Sequence, residues 1–221
     1  MARDVPDRAA YLDRWQELHA GYDPRTSPLV HGWLTVVHAV ARPLARLGAP
    51  PDAVTLLGLV VSGVVVWLAA LGGRWVVLAA VVAGISGLVD SLDGAVAIMT
   101  GRATRFGAVL DSVVDRISDA LYLLALWFVG APTWACVGAG VLVLTQEYAR
   151  ARATAVGMDD IGVVTVGERP TRVIVVAMFL LAAGVYPAEA VLWSSLGAYV
   201  LLGLGAVGLV QLLVVVRRRL T

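Results

Sequence analysis

A chain of 221 residues that is 59% hydrophobic, only 15% charged and of mean hydropathy +0.83 is too apolar for a soluble globule. A formal net charge of +1 gives no reason to expect a nucleic-acid partner, and the single cysteine, Cys136, excludes an intramolecular disulfide or a cysteine-based metal site. The composition is that of an all-α polytopic membrane protein, organised as an N-terminal extension, 1–48, and a membrane domain, 49–221.

Residues 1–27 are polar and mixed in charge, with no apolar run behind a basic start, so no cleavable signal peptide is expected. A short surface helix is expected near Arg8 to Ala20, ended by Asp23-Pro24. From Pro28 to Gly48, apolar residues such as Leu29, Trp33, Val36 and Val40 alternate with His31, His38, Arg42 and Arg46, and Pro43 interrupts the pattern. These basic groups make a poor span. The segment is expected to be an amphipathic helix lying in the cytoplasmic interface, where Trp and Arg are accommodated. His31 and His38 fall near one helix face, but no third ligand accompanies them, and they read as interfacial residues.

Pro50-Pro51-Asp52 precedes the first long apolar run, about Val54 to Leu71. A second span is expected from about Val76 into the region of Asp90 and Asp93, and a third from about Gly107 to Val129. The fourth covers about Thr133 to Tyr148, followed by a polar loop from Gly157 to Glu168. A fifth covers about Val173 to Val185, and the sixth, about Val191 to Val216, is stopped by Arg217-Arg218-Arg219. The expected architecture is thus six transmembrane helices preceded by an interfacial amphipathic helix.

Five aspartates interrupt this apolar background between Asp90 and Asp119. Asp90 and Asp93 are three apart and Asp111 and Asp115 four apart, the separations that bring side chains onto one helix face. If the first pair closes one helix and the second opens the next, with a turn near Thr100 to Thr104, four carboxylates converge at the end of a helical hairpin. Such a group cannot stay ionised and unpaired in a low-dielectric site. Oxygen ligands with no His or Cys nearby point to a hard divalent cation, Mg²⁺ or Mn²⁺, and Mg²⁺ commonly brings phosphate with it. The alternative is that the aspartates form structural ion pairs with Arg102, Arg105 and Arg116 or line a proton path, although ionisable groups within spans are functional by default.

Asp90-x-x-Asp93-Gly94-x-x-Ala97, followed by Gly107-x-x-x-Asp111-x-x-x-Asp115, resembles the defining motif of the CDP-alcohol phosphotransferases, integral membrane enzymes of phospholipid synthesis. The family pattern continues with an arginine where this chain has Ile98. That departure leaves three openings: Arg102 or Arg105 takes over its charge, the donor binds differently, or activity is weakened. The resemblance implies that Asp90, Asp93, Asp111 and Asp115 hold Mg²⁺ or Mn²⁺, and that Asp115 is the general base for the acceptor hydroxyl. It further implies a nucleotide and donor site at Asp52, Thr55, Gly94, Ala97, Arg102, Arg105 and Gly107, with Asp52 read equally well as an ordinary N-cap. The donor would be CDP-diacylglycerol, the leaving group CMP and the assembly a homodimer.

Tyr148-Ala-Arg150-Ala-Arg152-Ala and Glu168-Arg169-Pro170-Thr171-Arg172 put four guanidiniums at the ends of spans four and five. They suit an acceptor phosphate, since guanidinium binds phosphate bidentately, but the positive-inside rule also puts arginines there. Both segments, and Thr104 to Asp111, are similar to those of bacterial phosphatidylinositol phosphate synthases, which implies an inositol phosphate acceptor. Glycerol 3-phosphate or another small alcohol, and a weakened homologue, are the alternatives. With six spans, one side collects nearly all the interhelical arginines and the other keeps Arg74, so both termini and the aspartate site are expected on the cytoplasmic face of the cell membrane. A cation-coupled transporter is the reading from another class. It would call for two repeated halves, which the chain lacks.

Overall fold

The computed structural model describes residues 5–19, 21–158 and 165–220. Among them the structure is all-helical, in the order α1 (Arg8–Leu18), α2 (Pro28–Leu47), α3 (Pro51–Leu71), α4 (Trp75–Thr100), α5 (Arg105–Val129), α6 (Thr133–Ala155), α7 (Arg169–Val185) and α8 (Ala190–Leu220). Short 3₁₀ turns lie at Pro24–Thr26 and Pro187–Glu189. The chain forms two compact units, Met1–Leu59 with Ser86–Asp115, and Val60–Ile85 with Arg116–Thr221.

In the first unit, α1 starts where Asp7 accepts a hydrogen bond from Ala10 N at 2.9 Å, satisfying one free donor of the first turn. It ends at Leu18, and Ala20, the expected end, lies outside the described residues. α2 is capped by Ser27 and closed by Gly48 at φ +75°, a left-handed conformation that suits glycine. Pro43 does not interrupt α2. A proline inside a helix costs on the order of 3 kcal/mol. Here Val37, Ala41 and Ala45, spaced by four and fully buried, hold both sides of it against the core. That core unites Tyr11 and Leu12 of α1, Leu34 and Val37 of α2, Val54 of α3, and Leu92, Val96 and Met99 of α4. Tyr11 is 1% exposed, and burial pushes its hydroxyl pKa up to about 12.

In the second unit the core is built from small residues and branched aliphatics, among them Val65, Ala79, Ala83, Leu126, Ala139, Val176, Leu180 and Leu201. Cys136 packs in it, as expected of a small apolar residue. A Cβ on Gly184 would lie 2.5 Å from Val77 N, so only glycine permits this approach of α7 to α4. Ser62 Oγ lies within hydrogen-bond distance of Ser118 Oγ (3.1 Å) and Tyr122 Oη (3.2 Å), a polar contact inside this apolar packing.

Among the described residues, three helical stretches are long and apolar enough to cross a membrane: Pro51–Leu71, Trp75–Thr100 and Pro187–Leu220. The other long helices miss one of these two conditions for identifiable reasons. α5 carries Asp115, Arg116 and Asp119 in its middle, α6 carries Gln146, Glu147 and Arg150, and α7 has 17 residues.

Candidate active site

The site is built on the α4–α5 hairpin. α4 ends at Thr100, Gly101 takes φ +63°, and Arg102 N returns a hydrogen bond to Ala97 O at 3.0 Å, which closes the helix with a left-handed residue. Three residues later α5 begins, with Thr104 Oγ1 accepting from Gly107 N at 2.9 Å. This tight turn places the last third of α4 beside the start of α5.

Asp90, Asp111 and Asp115 each direct a carboxylate oxygen to one locus, where these atoms lie within 4.8 Å of one another. All three side chains are partly buried. Three like-charged oxygens this close repel strongly, and a divalent cation with oxygen ligands fits them. Asp93 is not in that group. It is 7% exposed and accepts from Thr55 Oγ1 at 2.6 Å, tying α4 to the first turn of α3, and from its neighbour Gly94 N at 2.5 Å.

Beside these carboxylates opens a cavity of about 250 Å³. Pro51, Asp52 and Thr55 of α3 form one wall, Asp93, Gly94, Ala97 and Ile98 of α4 another, and Arg102, Thr104, Gly107 and Asp111 the turn and α5 side. Asp111 belongs both to the carboxylate group and to the cavity. Six of the seven residues expected to contact nucleotide line this space. Arg105 is the exception, being exposed and outside the lining. The two motif glycines differ in kind. A Cβ on Gly107 would lie 3.0 Å from Thr104 Oγ1 and 3.1 Å from Asp52 Oδ1, whereas one on Gly94 would meet nothing within 4 Å and would project into open space. Gly107 permits packing, and Gly94 keeps room free.

The expected acceptor arginines lie in the second unit, where Arg172 and Arg150 take part in ion pairs. Arg172, 5% exposed, pairs with Asp119, 6% exposed, at 3.0 Å and also donates to Gly167 O. Arg150 donates to Glu168 at 2.8 Å. Arg152 is exposed and Arg169 partly buried at the start of α7. Asp119 lies one turn beyond Asp115 on α5. It approaches Arg116, at 3.7 Å, but its closest partner is Arg172, while Arg116 pairs with Glu147 at 2.7 Å. Glu147 and Glu168 are the residues sequence reasoning missed. Burial raises the Glu168 carboxyl, but hydrogen bonds from Arg150 and from Thr165 N and Oγ1 outweigh it and hold the carboxyl below its ordinary range. Half of the polar loop expected from Gly157 to Glu168, residues 159–164, lies outside the described residues. His38 is buried against Tyr11, with ring centroids 5.5 Å apart, and neither His38 nor His31 joins the carboxylate group.

Residues 49–211 match the family model for CDP-alcohol phosphatidyltransferases. The chain is 40% identical to the phosphatidylinositol phosphate synthase of Mycobacterium marinum over 168 residues, covering 72% of this chain and 68% of that one. It is 30% identical to the archaetidylinositol phosphate synthase of Pyrococcus horikoshii over 165 residues, 71% of this chain and 84% of the relative. Among solved structures, Mycobacterium tuberculosis phosphatidylinositol phosphate synthase with CDP-DAG bound superposes with a TM-score of 0.68 at 32% identity, covering 82% of this chain and 94% of that one. The same enzyme in complex with manganese and citrate gives a TM-score of 0.65 at 32% identity over 81% and 88%. The chain belongs to the CDP-alcohol phosphatidyltransferase family.

Proposed function

We propose that this protein transfers a phosphatidyl group from CDP-diacylglycerol to the hydroxyl of a small polar alcohol, an inositol phosphate fitting best, and releases CMP. The observation that carries this reading is that Asp111 serves two places at once, the carboxylate group with Asp90 and Asp115 and the cavity lined by Asp52, Thr55 and Gly94. A nucleotide diphosphate and a divalent cation would therefore share one site. Asp90, Asp111 and Asp115 are the residues that would hold Mg²⁺ or Mn²⁺, with Asp93 oriented by Thr55 at the cavity wall. The cation supplies charge neutralisation of the diphosphate and makes CMP a better leaving group.

In this reading Gly94 and Ala97 leave room for the nucleotide, and Arg102, held by its hydrogen bond to Gly48 O at 3.3 Å, offers its remaining donors to phosphate oxygens. An Asp115 carboxylate oxygen takes the proton of the acceptor hydroxyl as that oxygen bonds to the phosphatidyl phosphorus and the bond to CMP breaks. Arg150, Arg152, Arg169 and Arg172, at the end of α6 and the start of α7, would hold the acceptor phosphate, the pairs Arg150–Glu168 and Arg172–Asp119 fixing two of them in place.

The protein would work in the cell membrane as a homodimer with six spans, α3 to α8, and with both termini and the site on the cytoplasmic side. The placement of most interhelical arginines on one side of such a topology supports that orientation. α2 would lie at the bilayer surface, a role suited to the exposed apolar side chains Leu29, Trp33, Val36, Val40 and Leu47 along it. The test is CMP release by purified protein from CDP-diacylglycerol with Mn²⁺, offered inositol 1-phosphate, inositol, glycerol 3-phosphate or serine. Release with inositol 1-phosphate alone is expected. Release with a different acceptor would refute the acceptor assignment, and no release with any would refute the transferase reading.

A further inference from the structure

The donor cavity has a wall that comes from outside the family motif. Its described lining contains three carboxylates, Asp52, Asp93 and Asp111, and one cation, Arg102. That is a poor charge balance for a ligand bearing a diphosphate, even with one divalent ion present. At position 98, where the family pattern has arginine, the wall is the apolar side chain of Ile98. The main-chain oxygen of that same residue accepts a hydrogen bond from Arg14 Nη1 at 3.4 Å, across 84 residues of sequence.

Arg14 is presented by α1, and α1 is firmly seated. Asp7 caps it, Tyr11 and Leu12 are buried in the core shared with Val96 and Met99, and Trp15 packs against that core. One turn beyond Arg14 on the same face, Leu18 lines the cavity itself. Arg14 therefore stands at the cavity rim on a fixed helix. A guanidinium carries five N–H donors, and a single long hydrogen bond to Ile98 O orients it while leaving donors for an anion.

We propose that Arg14 is a donor-binding residue: its guanidinium, brought over the Ile98 wall by α1, contacts the diphosphate of the CDP-linked lipid and replaces the cation that the motif lacks at position 98. This deepens the transferase reading and rests on it. The N-terminal helix then completes the substrate site, and Ile98 and Arg14 form a compensating pair.

The experiment measures binding of CDP, with Mn²⁺ present, to the full-length protein by calorimetry, together with KM for each substrate and the melting temperature. Arg14→Ala should weaken CDP binding and raise KM for CDP-diacylglycerol by about tenfold, the scale of one charge-assisted hydrogen bond. KM for the acceptor and the melting temperature should stay at wild-type values. Arg14→Gln, which keeps a donor for Ile98 O, should lose as much affinity as alanine, Arg14→Lys should keep part of it, and adding Ile98→Arg to Arg14→Ala should restore it. Unchanged CDP affinity in Arg14→Ala and Arg14→Gln would overturn the proposal, as would a fall in melting temperature with both KM values moving alike. Failure of the wild-type protein to bind CDP at all would overturn the donor reading and this inference together.

Discussion

Asp115 asks for a substitution that keeps volume and removes charge. Its carboxylate belongs to the group with Asp90 and Asp111, yet it lies outside the cavity lining that Asp111 shares. Asp115→Asn should lower turnover by about 10²–10⁴-fold, the worth of a positioned general base, when Mn²⁺ is saturating. CDP binding should remain close to wild type, which separates loss of the base from loss of the cation. Initial rates of CMP release and calorimetric CDP affinity check the two halves, and near-normal turnover would remove Asp115 from that role. That carboxylates of α4 and α5 converge was legible in the sequence, because the spacings between Asp90 and Asp93 and between Asp111 and Asp115 are helical and the turn between them is short. What could not be read was that Asp93 turns toward Thr55 while Asp90 joins the other pair. One turn of a helix separates the two aspartates, and which of them faces α5 depends on how the helices are rotated, a property of packing that spacing within one segment does not carry.

Helices α5, α6 and α7 are joined in the second unit by ion pairs that local pattern does not reveal. Arg172 reaches Asp119 across 53 residues, and Arg150 reaches Glu168 across 18. Read along the sequence, the four arginines look equivalent, all near span ends where positive charge is expected anyway. In the structure they divide. Arg172→Ala leaves Asp119 buried without its closest partner and should cost about 3–5 kcal/mol of stability, seen as a lower melting temperature in detergent. Arg169→Ala should raise KM for the phosphorylated acceptor, with little effect on KM for CDP-diacylglycerol. Opposite results for the two variants would exchange their roles. The course of α2 is a second case where packing overrides a local signal. Pro43 reads as a break, and the buried row Val37, Ala41 and Ala45 carries the helix through it.

At the scale of the whole molecule, the all-helical architecture and the membrane character follow from composition, and the family follows from a motif of 26 residues between Asp90 and Asp115. Among the described residues, three helical stretches meet the length and apolarity of a span on their own. α5 and α6 carry several charges within the helix, Asp111, Asp115 and Arg150 among them, so hydropathy alone is least informative there. The contact of α1 with the cavity was equally hidden, since Arg14 and Ile98 are 84 residues apart and nothing near Arg14 marks it as a ligand. The central claim is that the carboxylate group and the cavity are one site joined at Asp111. Calorimetric titration of purified protein with Mn²⁺, with and without CDP, tests it most directly, comparing wild type with Asp111→Asn. The account predicts that wild-type protein binds Mn²⁺ more tightly when CDP is present and that Asp111→Asn loses both Mn²⁺ binding and this coupling. Mn²⁺ binding that is indifferent to CDP, or unchanged by Asp111→Asn, would contradict it.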